Sequence, residues 1–208
     1  MADPGMRRPR RGALSSWLAL AAVAAATGAC SLGAADRYGR ASPRLVDGNL
    51  PIPKGGGSYK VGPPYAVDGR WYLPREDPSY DRRGLASYYA QDFHGRRTSN
   101  GEIFDMWALS AAHPTLPLPS LAYVTNLENG RTLLVRINDR GPYVMNREID
   151  VSRAAARYLG FEARGLARVR VRYAGPAPLS GDDRHEQRFL ASQPWFQIAL
   201  ARDPNDRR

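Results

Sequence analysis

Cysteine is nearly absent from this sequence, because Cys30 is the only one among 208 residues. A single cysteine excludes an internal disulfide and a zinc site built from several thiolates. Histidine is also scarce, and His94, His113 and His185 are too widely spaced to form the paired motif of a zinc-binding helix. We therefore expect neither a bound metal nor a cofactor.

Lysine is nearly missing too. Lys54 and Lys60 are the only two, so arginine supplies almost all of the basic charge. The formal net charge is +10, and the sequence pI is about 10.2. Arginine presents a planar donor fork to carboxylate or phosphate, so this charge favours an acidic partner. A solvated arginine-rich surface explains the same composition equally well.

The sequence also lacks an apolar run long enough for a confident membrane-spanning helix. Its longest run, residues 13–26, is rich in alanine and follows a segment containing four arginines. Small residues then lead to Cys30, an order typical of a bacterial export signal ending in a lipobox. We expect residues 1–29 to be a lipoprotein signal peptide and Cys30 to carry the lipid. An ordinary secretory signal is the alternative.

Ser31 follows the expected lipidated cysteine, where an aspartate would favour retention at the inner membrane. This residue favours a lipid anchor at the outer membrane, with the protein on the periplasmic face of a Gram-negative cell. Two or three acyl chains suffice for stable anchoring. Export also argues against a nucleic-acid partner, although the basic charge alone would suit one.

Composition divides the rest of the chain into four parts. Gly, Pro and Ser dominate the first part, which is too poor in apolar groups to offset the entropy of ordering. The expected parts are a disordered flexible linker over 30–64, an extended aromatic lead-in over 65–83, a folded domain over 84–175, and a disordered polar tail over 176–208.

Short strands dominate the predicted domain. Alternating or β-prone segments occupy residues 85–89, 121–125, 132–137 and 167–173. Asn129-Gly130 predicts a hairpin in which both residues adopt positive φ. Asp150 is expected to cap one short helix over 151–159, which Gly160 ends. The pattern predicts a compact, mainly β barrel with one short helix.

Two stretches hold most of the polar side chains suited to chemistry, residues 98–106 and 138–143. Asp139 ends an alternating strand before a Gly-Pro turn, where a carboxylate is held rigidly at a barrel rim. Glu102 lies in a glycine-containing loop, and His113 follows a run of small residues. Each has an ordinary structural explanation as well: a turn-capping Asp, a solvated Glu and a hydrogen-bonding His.

Residues 84–175 resemble the rare lipoprotein A (RlpA) family of bacterial wall enzymes. The segments that carry the resemblance are GLASYY at 84–89, FHGRRTSNGE at 93–102, DM at 105–106, AAHPTLP at 111–117 and VRINDRGPY at 135–143. Phe104 departs from the tyrosine common at its position. Many members also carry a wall-binding SPOR domain, and we expect none in residues 176–208.

The resemblance implies a small six-stranded double-psi β-barrel. It also implies a peptidoglycan lytic transglycosylase, which cleaves the β-1,4 bond between N-acetylmuramic acid and N-acetylglucosamine and leaves 1,6-anhydro ends. Asp139 matches the catalytic acid/base and Glu102 the second required carboxylate. The expected substrate-binding residues are His113, Asp105, Arg140, Tyr143 and Asn138.

Two alternatives stay open at this point. Paired carboxylates also support hydrolysis, with an outcome that depends on their separation. A barrel of this kind can instead bind peptidoglycan without cleaving it, as a non-catalytic outer-membrane lipoprotein. The enzyme hypothesis needs Asp139 and Glu102 to border the same cleft. Such an enzyme would act in wall remodelling or daughter-cell separation, guided by partners at the division site.

Overall fold

A computed structural model of the chain describes residues 42–47, 50–89 and 91–202. The expected signal peptide and Cys30 lie outside these residues, so both remain predictions. Within the described ranges, no helix combines the length and apolar character needed to cross a bilayer.

A closed barrel forms the centre of the molecule. A hairpin of β1 (Tyr65–Val67) and β2 (Arg70–Tyr72) precedes the barrel strands, which are β3 (Asp81–Tyr89), β4 (Ser110–Ala112), β5 (Ser120–Asn126), β6 (Thr132–Asp139), β7 (Arg147–Ser152) and β8 (Ala167–Pro176). Around the barrel the order is β3-β7-β4-β6-β5-β8. The β3–β7 and β4–β6 pairs are parallel, and the others are antiparallel. The predicted mainly β, six-stranded barrel is confirmed.

The barrel interior is filled by the apolar half of each alternating strand. Leu133, Val135 and Ile137 of β6 are fully buried, as are Val169 and Val171 of β8. Burying one such side chain stabilises a fold by about 1.5–3 kcal/mol. The other side of β6 carries Arg136 and Asn138, as its alternation predicts, yet both are also buried, which gives β6 two covered faces.

The turn between β5 and β6 differs from the predicted one. Gly130 has φ +73°, but Asn129 is not in the left-handed region. Instead, the Asn129 side chain accepts a hydrogen bond from the Arg131 N–H (3.0 Å) and donates one to the Leu159 carbonyl (2.9 Å). Only the glycine needs a positive φ here, and the asparagine ties the turn to a helix.

That helix, α1 (Arg153–Leu159), begins later than predicted. Its N-cap is Ser152, whose side chain accepts a hydrogen bond from the Ala155 N–H. Asp150 belongs to β7, and its carboxylate accepts a hydrogen bond from the Ser87 hydroxyl of β3. The strand pairing therefore extends through Ser152 and displaces the cap by two residues. Gly160 ends the helix at φ +80°, as predicted.

The C-terminal part contradicts the expectation of a single helix and a polar, disordered tail. Two further helices follow the barrel, α2 (Arg184–Ala191) and α3 (Pro194–Arg202), and a short 3₁₀ turn covers Glu162–Arg164. Leu190 and Phe196 pack into the main core. A few apolar side chains spaced along two short helices suffice to dock them, although the overall composition of the segment is polar.

Residues 50–64, which we call the strap, are also ordered against the barrel rather than free as a linker. Lys60 exchanges two backbone hydrogen bonds with Leu118, of 2.6 and 2.9 Å. The Ser58 N–H donates to the Asn100 carbonyl (2.8 Å). Backbone groups satisfy these bonds, so a prediction from apolar content could not reveal them. β3 likewise starts at Asp81, within the predicted lead-in.

Candidate active site

Asp139 is the last residue of β6 and lies partly exposed at the barrel rim. Its Oδ1 accepts three hydrogen bonds: from the Ser99 N–H (2.9 Å), the Ser99 hydroxyl (2.6 Å) and the Arg140 N–H (2.8 Å). Among the described residues, no hydrogen bond ends on Oδ2. One oxygen of the carboxylate is therefore fixed, and the other remains available to carry a proton.

The surroundings of Asp139 favour its protonated form. Burial raises the pKa of its carboxyl group above the ordinary value. The hydrogen bonds from Ser99 and Arg140 lower this pKa, but burial outweighs them. A carboxylic acid that keeps its proton to higher pH is suited to general acid chemistry.

Glu102 ends the loop of residues 98–102, whose Ser99 binds the Asp139 carboxylate. Only 4 % of Glu102 is exposed. Arg136 holds it with two hydrogen bonds, Nε to Oε2 (3.0 Å) and Nη2 to Oε1 (2.5 Å). The side-chain amides of Asn138 and Asn100 each donate another at 3.0 Å. The carboxylate is thus enclosed by four donor contacts.

The pKa of Glu102 moves in the opposite direction from that of Asp139. Burial alone would raise it, but the hydrogen bonds from Arg136 and Asn138 hold it below its usual value. Such a carboxylate stays ionised to lower pH than a free one, and its hydrogen bonds secure the loop. The loop connects the two acids, because the Thr98 N–H donates to the Glu102 carbonyl (2.8 Å) while Ser99 binds Asp139.

His113 is fully buried beneath Asp139 and does not face a groove. Its Nδ1 accepts hydrogen bonds from the Thr115 and Leu116 N–H groups (3.2 and 3.0 Å), so Nε2 carries the proton when the ring is neutral. Nε2 lies 2.8 Å from the Tyr80 hydroxyl. Burial lowers the His113 pKa, although Glu148 opposes this. The backbone N–H of His113 supports the Asp139 carbonyl (3.0 Å).

Arg140 and Tyr143 follow Asp139 in the chain and stay close to it. The Arg140 guanidinium donates to three carbonyls: those of His113 (3.2 Å), Leu116 (2.5 Å) and, in the strap, Val61 (2.7 Å). It therefore anchors the backbone around the acid.

The ring of Tyr143 packs edge-on against Tyr65 and Tyr72 of the β1–β2 hairpin, with centroids 6.1 and 5.5 Å away. Burial raises the Tyr143 pKa, and the nearby Asp139 charge adds to this effect. The aromatic hairpin thus forms one side of the Asp139 region.

The side chains of the two remaining predicted residues contact groups other than the Asp139 carboxylate. Asn138 bonds Glu102, and its own Oδ1 is buried without a hydrogen-bond partner. Asp105 accepts a hydrogen bond from the Trp107 N–H (2.9 Å) and lies 3.7 Å from His94 Nδ1. Within the described ranges, no group of three or more His, Cys, Asp or Glu side chains is placed to hold a metal ion.

Sequence reasoning overlooked Arg136, Ser99, Glu148 and Tyr89. Alternation put Arg136 opposite the core, and nothing in the sequence indicated that Glu102 would cover it. Ser99 was visible only as part of a motif. The Tyr89 ring stacks on Phe104 (centroids 4.1 Å apart), its hydroxyl is buried without a partner, and burial with the nearby Asp139 charge raises its pKa.

Comparison with known proteins gives one consistent result. Residues 81–171 match a family model described as lytic transglycolase. The chain is 43 % identical over 153 residues to the endolytic peptidoglycan transglycosylase RlpA of Pseudomonas aeruginosa strain UCBPP-PA14, which covers 73 % of this chain and 44 % of that protein.

Two further relatives with the same name are similar. That of Rickettsia bellii is 46 % identical over 120 residues, covering 56 % of this chain and 53 % of the relative. That of Neisseria meningitidis strain Z2491 is 50 % identical over 113 residues, covering 54 % and 47 %. The chain therefore spans about half the length of the curated relatives it matches.

Proposed function

Because the barrel of this chain belongs to the RlpA family, we propose that it is a lytic transglycosylase acting on the glycan strands of peptidoglycan. Asp139 is its general acid and base. The bond cleaved is the β-1,4 linkage between N-acetylmuramic acid and N-acetylglucosamine, and the product carries a 1,6-anhydro end.

The observation that carries the proposal is the state of the Asp139 carboxyl group. It is held at a rigid strand end, its pKa is raised, and all three of its hydrogen bonds within the described chain end on Oδ1. Asp139 is partly exposed at this rim, which supports access by a polysaccharide. Glu102 is almost fully enclosed, so the two carboxylates do not border one open cleft as expected from the sequence, and the proposal rests on Asp139.

The reaction needs one proton and no added water. Protonated Asp139 donates its proton to the glycosidic oxygen as the bond to the anomeric carbon breaks, so the leaving sugar departs as a neutral alcohol. The resulting Asp139 carboxylate then removes the proton from the 6-hydroxyl of the muramic acid. That oxygen attacks the anomeric carbon, closes the anhydro ring and restores the acid.

In this scheme Glu102 acts through the loop rather than on the sugar. The clamp from Arg136, Asn138 and Asn100 fixes residues 98–102, and this loop presents Ser99 to Asp139.

The test is digestion of purified sacculi, with and without stem peptides, by the protein and by Asp139→Asn. Mass spectrometry of the released fragments should show anhydro ends with the wild type. The substitution should lower their rate of appearance by at least about a hundredfold, the usual contribution of a general acid. Ser79→Ala, a change at an exposed hydroxyl that bonds only Asp77, is the matched control.

Other products would identify other functions. Reducing ends in place of anhydro ends would mean hydrolysis. Co-sedimentation of the wild type with sacculi, equal in Asp139→Asn and without any released fragment, would mean a non-catalytic peptidoglycan-binding protein. Either result contradicts the proposed lyase.

We also propose, from the sequence of residues 1–31, that Cys30 is acylated and anchors the protein to the periplasmic face of the outer membrane, where partners at the division site would direct it to the septum. Metabolic labelling with palmitate followed by membrane fractionation tests this localisation. Wild type should be labelled in the outer membrane, and a labelled Cys30→Ala protein would contradict the anchor.

A further inference from the structure

A small cavity with several polar side chains in its wall lies on the Glu102 side of the barrel, and Asp139 is not among its lining residues. Its volume is about 60 Å³. The barrel contributes Glu102, Ser110, Arg136 and Asn138 to its wall, and the strap and the start of α2 close it with Lys54, Gly55, Asp183 and Glu186. Both closing segments lie outside residues 81–171 that match the family model.

Several residues that line this cavity carry buried polar atoms without a hydrogen-bond partner. Among the described residues, eight buried side-chain polar atoms have no hydrogen-bond partner, and five belong to residues lining the cavity. They are both carboxyl oxygens of Glu186, Nη1 of Arg136, Oγ of Ser110 and Oδ1 of Asn138. Buried polar atoms are normally bonded to protein or ordered water, and the cavity has room for about two water molecules.

Glu186 is the least expected of these groups, because a carboxyl group that is 1 % exposed normally has a partner. The Arg136 guanidinium uses Nε and Nη2 on Glu102 and also donates from Nη2 to the Pro178 carbonyl (2.8 Å). Its remaining nitrogen, Nη1, has no hydrogen-bond partner among the described residues, and Arg136 and Glu186 both line the cavity.

We propose that Glu186 is a positioning residue of the active site, which holds Arg136 through water in this cavity and thereby sets how firmly Arg136 clamps Glu102. The catalytic consequence of this inference rests on the proposed function, whereas the link from Glu186 to Arg136 does not. It makes α2 a component of the site, reaching Asp139 through Arg136, Glu102 and residues 98–102.

The state of Glu186 determines the strength of the clamp. Burial raises the pKa of Glu186, and the Arg136 charge only partly offsets this. The other charged groups facing the cavity are Glu102 and Asp105 from the barrel loop, Lys54 from the strap, and Asp183 beside Asp182 at the start of α2. When Glu186 ionises, two carboxylates compete for one guanidinium, and the loop loosens.

Carboxyl carbon NMR of the full chain tests the structural part directly. The sequence has six glutamates, so ¹³Cδ labelling gives few signals, and the loss of one signal in Glu102→Gln assigns Glu102. In the wild type the Glu102 signal should show a second step at the pH where Glu186 titrates, because interacting acids share their titrations. In Glu186→Gln, which keeps shape and hydrogen bonding, this step should vanish.

Cleavage of sacculi tests the catalytic consequence. Glu186→Gln should keep the wild-type kcat at low pH and move the alkaline limit of kcat upward by about one pH unit, the size of shift that one neighbouring charge produces. Glu186→Leu, which keeps bulk but removes polarity, should lower kcat over the whole range with little change in KM.

A role limited to packing would leave the Glu102 titration with a single step in the wild type and an unchanged pH limit in Glu186→Gln, and either result overturns the proposal. With the Glu102 signal assigned independently by through-bond correlation to its backbone, the wild-type titration decides the structural part even where a variant does not fold. A wild type that shows the second step but releases no fragments would refute the proposed function and leave the Arg136 link intact.

Discussion

The loop of residues 98–102 contacts Asp139 through Ser99 and ends at Glu102, yet the environments of the two carboxylates differ. Asp139 is partly exposed, and burial raises its pKa; Glu102 is enclosed, and its donors lower its pKa. Asp139 has one oxygen without a hydrogen bond from the described chain, while Glu102 has none to spare. The two environments therefore suit Asp139 to the proposed role of proton carrier and Glu102 to that of an anchor for the loop.

A carboxylate can be required for activity in two ways, and this contrast separates them. Losing a proton carrier removes chemistry and leaves the fold, whereas losing an anchor removes the geometry on which the chemistry depends. Activity alone does not distinguish the two, because both losses end in an inactive protein. Stability and pH dependence do distinguish them.

The largest expected difference is in the free energy of unfolding. Glu102→Gln leaves Arg136 buried beside a neutral group, and breaking a buried ion pair from one side costs about 3–5 kcal/mol. Asp139→Asn should change the unfolding free energy by less than about 1 kcal/mol, as partly exposed sites usually do. Urea denaturation of both variants at neutral pH measures this.

A double variant provides the control for this comparison. Glu102→Leu with Arg136→Met replaces the ion pair by apolar groups and should recover most of the lost stability while activity stays low. Equal destabilisation by Asp139→Asn and Glu102→Gln would erase the distinction between anchor and proton carrier.

A smaller effect is expected at Ser99, the residue that joins the loop to Asp139. Ser99→Ala removes the hydroxyl donor from Asp139 and keeps the backbone donor. The hydroxyl lowers the pKa of Asp139, so its loss should raise this pKa and move the alkaline limit of cleavage upward by up to about one pH unit. The pH profile of sacculus digestion measures it; a downward shift would contradict Asp139 as the acid.

The smallest effect concerns acid stability. The folded-state pKa of Glu102 is lowered, so its stabilising contribution is present above its unfolded value of about 4.3 and disappears as the pH falls through the folded value. For Asp139 the folded pKa is raised, so its ionisation disfavours the fold as the pH rises, and this cost vanishes in acid.

The difference in unfolding free energy between wild type and Glu102→Gln should therefore narrow as the pH falls from 7 to 3. Over the same range, the unfolding free energy of Asp139→Asn should decrease relative to that of the wild type. Urea midpoints at several pH values check both directions. If the unfolding free energies of both variants change in the same direction relative to the wild type, the pKa shifts of Glu102 and Asp139 have the same sign, which contradicts the contrast.

The alternating strands could be predicted from sequence because their signal is local. Leu133, Val135 and Ile137 already display the face that fills the barrel. The strap and α2 could not be predicted, because their contacts are with residues distant in sequence. The backbone of Lys60 bonds that of Leu118, and Glu186 and Arg136 line the same cavity. Such pairings depend on tertiary packing, which short-range patterns do not encode.

The site divides in the same way. The position of Asp139 at the barrel rim could be predicted because a strand end, a charge and a Gly-Pro turn are adjacent in the chain. The burial of His113 and the clamp on Glu102 could not be predicted, because each depends on a partner from another element: Tyr80 for the histidine and Arg136 for the glutamate.

The closeness of Gly57 to the clamp gives the strap a further property. A Cβ atom there would lie 2.7 Å from Asn100 Nδ2 and 2.8 Å from Glu102 Cγ. Position 57 thus works as a spacer of fixed thickness, because the strap fits against Asn100 and Glu102 only while it carries no side chain there. Thickening the strap at that point would force it off the barrel and uncover the buried carboxylate beneath.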